Sequence, residues 1–337
     1  MTAISGGGAP TLEMVAAHAG VSRATVSRVV NGSPKVSPDV AEVVQRAIEE
    51  LNYVPNRAAR SLASRRTQAI ALIVPESAAR VFDDPFFASI VQGVAMAIAP
   101  TEYTLTMMIE SEVDPDKTRR YLLGGNVDGA LVVSHHTGDH SYAHLGRSLP
   151  LVFGGRPLDG ESSEFTVDVD NTHGAASGTE HLVARGRRRL ATIAGPQDMP
   201  PGVDRLRGFE SAASAAGLAT DLVEFGDFSP ASGADAMRRL LAREPGIDGV
   251  FAANDQMAMG ALTALAEAGR SVPDDVSVVG FDDDRYAATA MPALTTVRQP
   301  SNRMGAEMAR KLVALIEGRP VEAATILSTE LVVRASS

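Results

Sequence analysis

After Thr67 the chain alternates short, continuously apolar runs with helical stretches, and this alternation leaves few folds open. AIALIVP, TLTMMI, DGALVVS and LVFGG lie in one block, with FFASIVQGVAMAIA and DKTRRYLLG between them; FTVDV, LATIAG, GVFAAN and VSVVGF lie in the next. An apolar run without polar alternation needs cover on both faces, and helices supply it when the strands run parallel. The pattern predicts two similar α/β halves built on parallel sheets. Ligands of such sheets bind beyond the carboxyl ends of the strands, so two halves with those ends facing each other make a cleft. A chain of 337 residues, 45% of them hydrophobic, is long enough for roughly two to three well-buried domains.

The first 66 residues differ in kind. They carry eight Lys/Arg against five Asp/Glu, a formal +3, which leaves −13 on the rest of a chain whose net charge is −10. A basic head on an acidic body is the distribution that a nucleic-acid partner for the head alone requires, since phosphates attract the one and repel the other. Thr11 can cap a helix over LEMVAAHA, and Gly20 ends it. Ser22 caps a second helix that runs to Val30 and that Asn31-Gly32 terminates. So short a link is the layout of a helix-turn-helix, whose second helix leads into the major groove. At 100° per residue, Val26, Val29 and Val30 fall on one side of this helix, and Arg23, Ala24, Ser27 and Arg28 on the other. Ser37-Pro38 opens a third helix, with Ser as cap and Val40, Val43, Val44, Ala47, Ile48 and Leu51 as its apolar stripe. Three such helices can close one small core.

TLEMVAAHAGVSRATVSRVVNG, followed by VSPDVAEVVQRAIEELNYVPNRAARSLASRRTQAIALIVP, resembles the head of the LacI family of bacterial transcription regulators. The likeness continues in DPFFASIVQGV, VDGALVVS, HLVARGRRRLATIAGP, RLRGF, GVFAANDQMAMGAL, VPDDVSVVGFDD and PALTTVRQP, so it extends over essentially everything after Pro10. It implies an α plus α/β architecture: a three-helix helix-turn-helix domain over 11–55, a hinge helix over 56–66, and a two-subdomain, periplasmic-binding-protein-like body over 67–337. The subdomains are expected at 67–167 with 298–325 and at 168–297 with 326–337, with crossovers near Asp168, Val297 and Ile326.

The resemblance puts Arg23, Ala24 and Arg28 against base edges, and Ser22, Thr25, Ser27 and Asn31 near phosphates. The arginine fork does match the O6 and N7 acceptors of guanine, whereas Ala24 offers only contact with a thymine methyl, or room. Lys35, in a loop, is expected on the DNA backbone; Thr11, Asn56 and Ala59 complete the expected contact set. Asn56 to Ser64 holds one large apolar side chain, Leu62, so a helix there is marginal alone and is expected to fold on DNA. In the family two such helices pair across the dimer in the minor groove and wedge a leucine at this position into the central base step.

Candidates for the cleft are polar and aromatic residues at strand ends. Asp282 follows VSVVGF, Asn254 follows GVFAA, Asp170 follows FTVDV, His135 and His136 follow DGALVVS, and Arg205 opens the helix containing RLRGF. The resemblance matches Asn254, Asp282 and Arg205 to positions that hydrogen-bond the effector, and Phe86 and Phe228 to apolar positions lining it. Groups that take adjacent hydroxyls in pairs beside an aromatic wall suit a sugar. Asn254 also reads as the cap of the DQMAMGAL helix, and the run Asp282-Asp283-Asp284 leaves the cleft aspartate open by one residue. Gly155, in LVFGGRP, stands where many members carry an aspartate that meets the ligand, and Pro100-Thr101-Glu102 replaces the common Gly-Tyr turn; both departures bear on the effector's identity.

Several classes are set aside. His135, His136, His140 and His144 are four of the seven histidines, and the last two have the spacing of helical metal ligands. Gly138-Asp139 break the segment, however, and no Cys or nearby Glu completes a set, so a solvated loop or effector contact is favoured and no metal or cofactor is expected. An enzyme would need a motif such as GxxxxGK[ST], GxSxG or GxGxxG at the opening of a βα unit, and none is present. The N-terminus has neither a basic nor an apolar leader segment, no run of about 18 apolar residues appears, and there are no cysteines, so a cytoplasmic, nucleoid-associated protein is expected rather than a secreted or membrane one. The expected function is sequence-specific, double-stranded DNA binding to a pseudo-palindromic operator as a homodimer, since no leucine heptads follow LVVRASS. The expected effector is a small molecule, a sugar or sugar derivative. The alternative is a sensor of the same body fold whose effector acts as a corepressor or is not a sugar.

Overall fold

The computed structural model describes residues 10–30, 33–54, 66–109, 116–137, 145–146, 148–156 and 165–337. Asn31, Asn56, Ala59, Leu62 and the expected hinge helix up to Arg65, together with His140 and His144, lie outside the described residues. The chain divides into two units, Met1–Gln68 and Ala69–Ser337.

Among the described residues of the first unit three helices form, α1 (Leu12–Ala19), α2 (Arg23–Val30) and α3 (Pro38–Glu50). Thr11 Oγ1 accepts the Met14 N–H at 3.3 Å, and Gly20 takes the left-handed conformation (φ 66°) that ends α1. Ser22 Oγ accepts the Thr25 N–H at 3.1 Å and caps α2. Ser37 precedes α3 in extended conformation with Pro38 behind it, but its side chain makes no capping bond. Val15, Ala16, Val26, Val44, Ala47 and Tyr53 form the core, with Val29, Val30, Ile48 and Leu51 half-buried around it. Val43, expected in the apolar stripe, is instead 45% exposed, because a core this small covers only a narrow arc of α3.

The second unit holds two six-stranded sheets. The first contains β1 (Ala69–Val74), β2 (Thr104–Ile109), β3 (Gly129–Val133), β4 (Leu151–Gly154), β5 (Phe165–Val169) and β11 (Ala324–Leu327), in the order β11-β5-β4-β3-β1-β2. The second contains β6 (Leu190–Ala194), β7 (Val223–Phe225), β8 (Gly249–Ala252), β9 (Ser277–Asp282), β10 (Thr295–Arg298) and β12 (Glu330–Val332), in the order β12-β10-β9-β8-β6-β7. The helices are α4 (Ala78–Asp83), α5 (Pro85–Ile98), α6 (Asp116–Tyr121), α7 (Asn171–Ala184), α8 (Pro200–Ala215), α9 (Pro230–Arg243), α10 (Asp255–Glu267) and α11 (Ser301–Ile316). Both faces of β1 are covered: Ile70, Leu72 and Val74 pack with Ile90, Val94 and Leu312, while Ala71 and Ile73 pack with Leu122, Leu145 and Phe153. A continuous apolar strand demands this.

Two expectations need correction. FTVDV belongs to the first sheet, not the second: as β5 it pairs in parallel with β4 and β11. The sheets are also not wholly parallel, since β12 pairs antiparallel with β10 at the edge of the second sheet. The chain passes between sheets after β5, after β10 and after β11, so Asp168, Val297 and Ile326 each still lie within a strand of the sheet being left. After the second passage α11 packs against α5 closely enough that a Cβ on Gly93 would come 1.9 Å from the Asn302 carbonyl oxygen.

Candidate functional site

The two sheets face each other across a cleft of about 660 Å³, measured to its open mouth. The first lobe lines it with Phe86 and Phe87 at the start of α5, Ser134 and His135 after β3, Gly154 and Gly155 at β4, and Asp168 on β5; the second contributes Met199, Arg205, Phe228, Asn254 and Asp282, with Gln299 at a crossing. These are strand-end and helix-start positions, as parallel α/β topology dictates.

Arg205 organises the floor. Its Nε donates to Asn171 Oδ1 at 2.9 Å and one terminal nitrogen to the Ala253 carbonyl at 2.7 Å, while Asp282 Oδ1 and Gln299 Oε1 each stand 3.4 Å away. The guanidinium lies over the Phe281 ring, 3.7 Å from its centroid. Gln299 Nε2 donates to Asp282 Oδ1 at 2.6 Å. Burial lowers the Arg205 pKa, against the pull of Asp282, Asp168 and Asp255. Burial raises all three carboxyls, Asp282 to about 8 despite Arg205 beside it. One cation cannot hold three carboxylates ionised in so dry a place.

The expected cleft residues land as follows. Phe86, His135, Arg205, Phe228, Asn254 and Asp282 all line it. Of the three consecutive aspartates only Asp282 does so; Asp283 pairs with Arg298 and Arg334, and Asp284 accepts the Tyr286 N–H. Asn254 lines the cleft and also caps a helix: Oδ1 caps α10 by accepting the Met257 N–H at 2.9 Å, and Nδ2 donates to the Phe228 carbonyl at 3.0 Å. That bond holds Phe228 at a φ of 68°, a conformation costly for a bulky residue. His135 packs edge-on against Phe153, its Nε2 3.3 Å from the Arg156 carbonyl.

Asp170 is a correction. It is exposed, caps α7 by accepting the His173 N–H at 3.0 Å, and takes no part in the cleft. The inward carboxyl is Asp168, which accepts the backbone N–H of Arg156 at 3.0 Å and the Asn171 side-chain amide at 3.1 Å. Asp170 lies past the end of β5, where its carboxylate turns to the first turn of α7, while Asp168 is still on the strand. Asn171, at the start of α7, and Gln299, just after β10, also line the cleft without having been expected there, each hydrogen-bonded to Arg205. At Gly155 (φ 95°) an added Cβ would meet only His135 Cε1, at 3.7 Å, so the cleft is open there.

In the first unit, Ser22, Arg23, Ala24, Arg28 and Lys35 are exposed, as is Thr11, while Thr25 and Ser27 are half-buried. Arg23 Nε lies 3.0 Å from Glu13 Oε1, with the two side chains 74% and 61% exposed. An ion pair so exposed holds its arginine only weakly. Three charged or small residues therefore stand free on the outer face of α2, beside Ser22 and Thr25, whose hydroxyls bond each other at 2.8 Å.

Comparison with known proteins agrees with both units. The bacterial regulatory proteins, lacI family model matches residues 11–56, and the periplasmic binding protein-like domain model matches residues 179–337. The HTH-type transcriptional regulator CelR of Thermobifida fusca is 49% identical over 333 residues, 97% of this chain and 98% of that protein. The ribose operon repressor of Halalkalibacterium halodurans is 35% identical over 330 residues, 96% of each. Among solved structures, a transcriptional regulator CelR–cellobiose complex superposes with a TM-score of 0.78 at 47% identity, covering 97% of this chain and 100% of that one. The lac repressor dimer bound to operator and the anti-inducer ONPF superposes with a TM-score of 0.85 at 30% identity, covering 97% and 98%. No helix among the described residues is long and apolar enough to cross a membrane. From its head to its two-lobed body, the chain is a transcriptional regulator that belongs to the LacI family of bacterial regulatory proteins.

Proposed function

We propose that this regulator is a cytoplasmic, homodimeric, non-catalytic repressor that binds a pseudo-palindromic operator through residues 11–66 and answers to an uncharged sugar in the cleft between its lobes. The observation that carries the sugar reading is the cleft floor. Arg205, Asp282, Gln299 and Asn171 are tied into one network under the aromatic walls of Phe86 and Phe228, an arrangement that suits a flat, polyhydroxylated ring. The floor is dry enough that burial pushes Asp168 and Asp282 toward their neutral forms, and the same desolvation opposes a charged ligand, so a phosphorylated or acidic sugar is disfavoured. Cellobiose, the sugar in the CelR complex, is the first candidate.

In the head, Arg23, Ala24 and Arg28 would meet base edges, with Ser22, Thr25, Ser27, Thr11, Asn31 and Lys35 toward the phosphate backbone. Asn56, Ala59 and Leu62 would enter the minor groove. A two-fold dimer places two reading helices on two half-sites. The test titrates cellobiose, glucose and a phosphorylated sugar into the full chain by calorimetry, then repeats operator binding by fluorescence anisotropy with each. Cellobiose binding that changes operator affinity is expected. Tight binding of the phosphorylated sugar alone would overturn the uncharged-ligand reading.

A further inference from the structure

Beyond the ligand-lining residues, a set of contacts bridges the two lobes at the rim of the cleft. His136, just after β3 in the first lobe, has its Nδ1 2.8 Å from Asp198 Oδ2, in the loop between β6 and α8 of the second. Its Nε2 lies 3.3 Å from Glu76 Oε1, which also accepts the Ser134 hydroxyl at 2.7 Å. The Thr137 N–H donates to the Asp198 carbonyl at 2.8 Å. On the same rim Arg80, whose Nε is 3.4 Å from Glu76 Oε2, donates to the Asp227 carbonyl of the second lobe at 2.6 Å. Neither His136 nor Asp198 lines the cleft.

We propose that His136 is a bolt across the mouth of the cleft: held between Glu76 of its own lobe and Asp198 of the opposite one, it keeps the lobes closed and so sets effector affinity without touching the effector. The statement about affinity rests on the cleft being the effector site; the statement about closure does not. Lobes joined by three chain crossings close by hinge motion, and a contact that exists only in the closed form adds its free energy to that form. Charge-assisted hydrogen bonds to both ring nitrogens, one of them to a Glu76 side chain only 9% exposed, are stronger than an ordinary surface pair. Among the described residues, Glu76 and Asp198 are charged groups that face His136, with Arg80 beyond Glu76. The hydrogen bond to Glu76, and after it that to Asp198, raises the His136 pKa to about 9, so the ring is a cation at neutral pH. Opening removes Asp198 and with it part of that rise, so closure binds a proton and weakens as pH climbs through 9.

The absence of cysteine from the sequence makes the test direct. Ala79→Cys and Ala231→Cys, exposed positions on α4 and α9 on either side of the mouth, carry a spin-label pair in the full-length protein with no background sites. At pH 7 the ligand-free protein with His136 in place should show a single short distance, which lengthens between pH 7 and 10. His136→Ala should show the longer distance already at pH 7 and no further change with pH; Asp198→Asn, at an exposed carboxylate, is the second variant and should move in the same direction. Cellobiose affinity, read by calorimetry, should fall about tenfold in His136→Ala. A wild-type distance distribution in both variants at pH 7, or the same pH response in His136→Ala as in wild type, overturns the bolt. Failure of cellobiose to bind any of these proteins counts against the effector reading and leaves the distances to decide closure.

Discussion

Arg23 and Arg205 are the same residue put to opposite uses. Arg23 is 74% exposed on the first turn of α2 and touches one equally exposed glutamate. Arg205 is buried and held by groups from four separate stretches of chain: Asn171, Ala253, Asp282 and Gln299. On the reading proposed above, recognition in the head is delegated to side chains that the fold leaves exposed, and short helices suffice to present them. In the cleft, recognition and folding would share the same atoms, because an unpartnered guanidinium or carboxyl there would cost more than the ligand returns. A change in the head should therefore alter binding and spare the fold, and a change in the cleft should alter both.

The largest effect expected of that contrast is on stability. Arg205→Ala leaves Asn171 Oδ1 and the Ala253 carbonyl without their donor and the buried Asp282 without its cation, and should cost the body about 3–5 kcal/mol in denaturant unfolding, whereas Arg23→Ala should move stability by less than about 0.5 kcal/mol. Equal losses in the two variants would erase the distinction. Next in size is operator affinity. Arg23→Ala should cost about 1–3 kcal/mol on the best operator and relax one base position, while Lys35→Ala should weaken all duplexes alike; selection of preferred sites with each variant separates the two.

Within the head, Thr11→Ala removes an observed cap and should cost about 1 kcal/mol. Ser37→Ala removes a hydroxyl that caps nothing and should cost only a few tenths of that. Hydrogen exchange of the α1 and α3 amides reads both. The smallest change concerns Asp282. Its pKa is raised to about 8, mainly by burial. A carboxyl raised in the folded state lends stability that is complete below its ordinary value near 3.9 and is lost as pH rises through the raised one. Asp282→Asn, neutral at every pH, should shift stability at pH 5 by less than about 1 kcal/mol and flatten the decline toward pH 8.5; an unchanged slope would mean that Asp282 is ionised in the fold.

What the amino-acid order disclosed follows the same line between local and distant partners. Thr11, Gly20 and Ser22 act on residues within a turn of themselves, and their roles in bounding α1 and α2 were readable one by one. The apolar runs announced their strands because burial on both faces leaves no polar alternation. Which sheet a strand joins depends on partners far along the chain, and so β5 was assigned to the wrong block: β11, one of its partners, lies some 150 residues away. In the cleft, residues at strand ends were legible in kind. Asp168 lies on β5 and Asp170 just past its end, claimed as the cap of α7, and Asn171 and Gln299 become visible as cleft residues only once Arg205 has a position in space. Asn254 admitted a cap reading and a cleft reading because its amide serves both.

The edge strands β11 and β12 carry a consequence for synthesis. Both lie within residues 324–332, and each completes a different sheet. A ribosome that has made the first 320 residues has produced ten of the twelve strands, yet β5 and β10 each still present a row of unpaired amides and carbonyls. Exposed strand edges of this kind are where newly made chains pair with one another. The two lobes receive their last strands within nine residues of each other, and a nascent chain that stalls just before them is sticky on two edges at once.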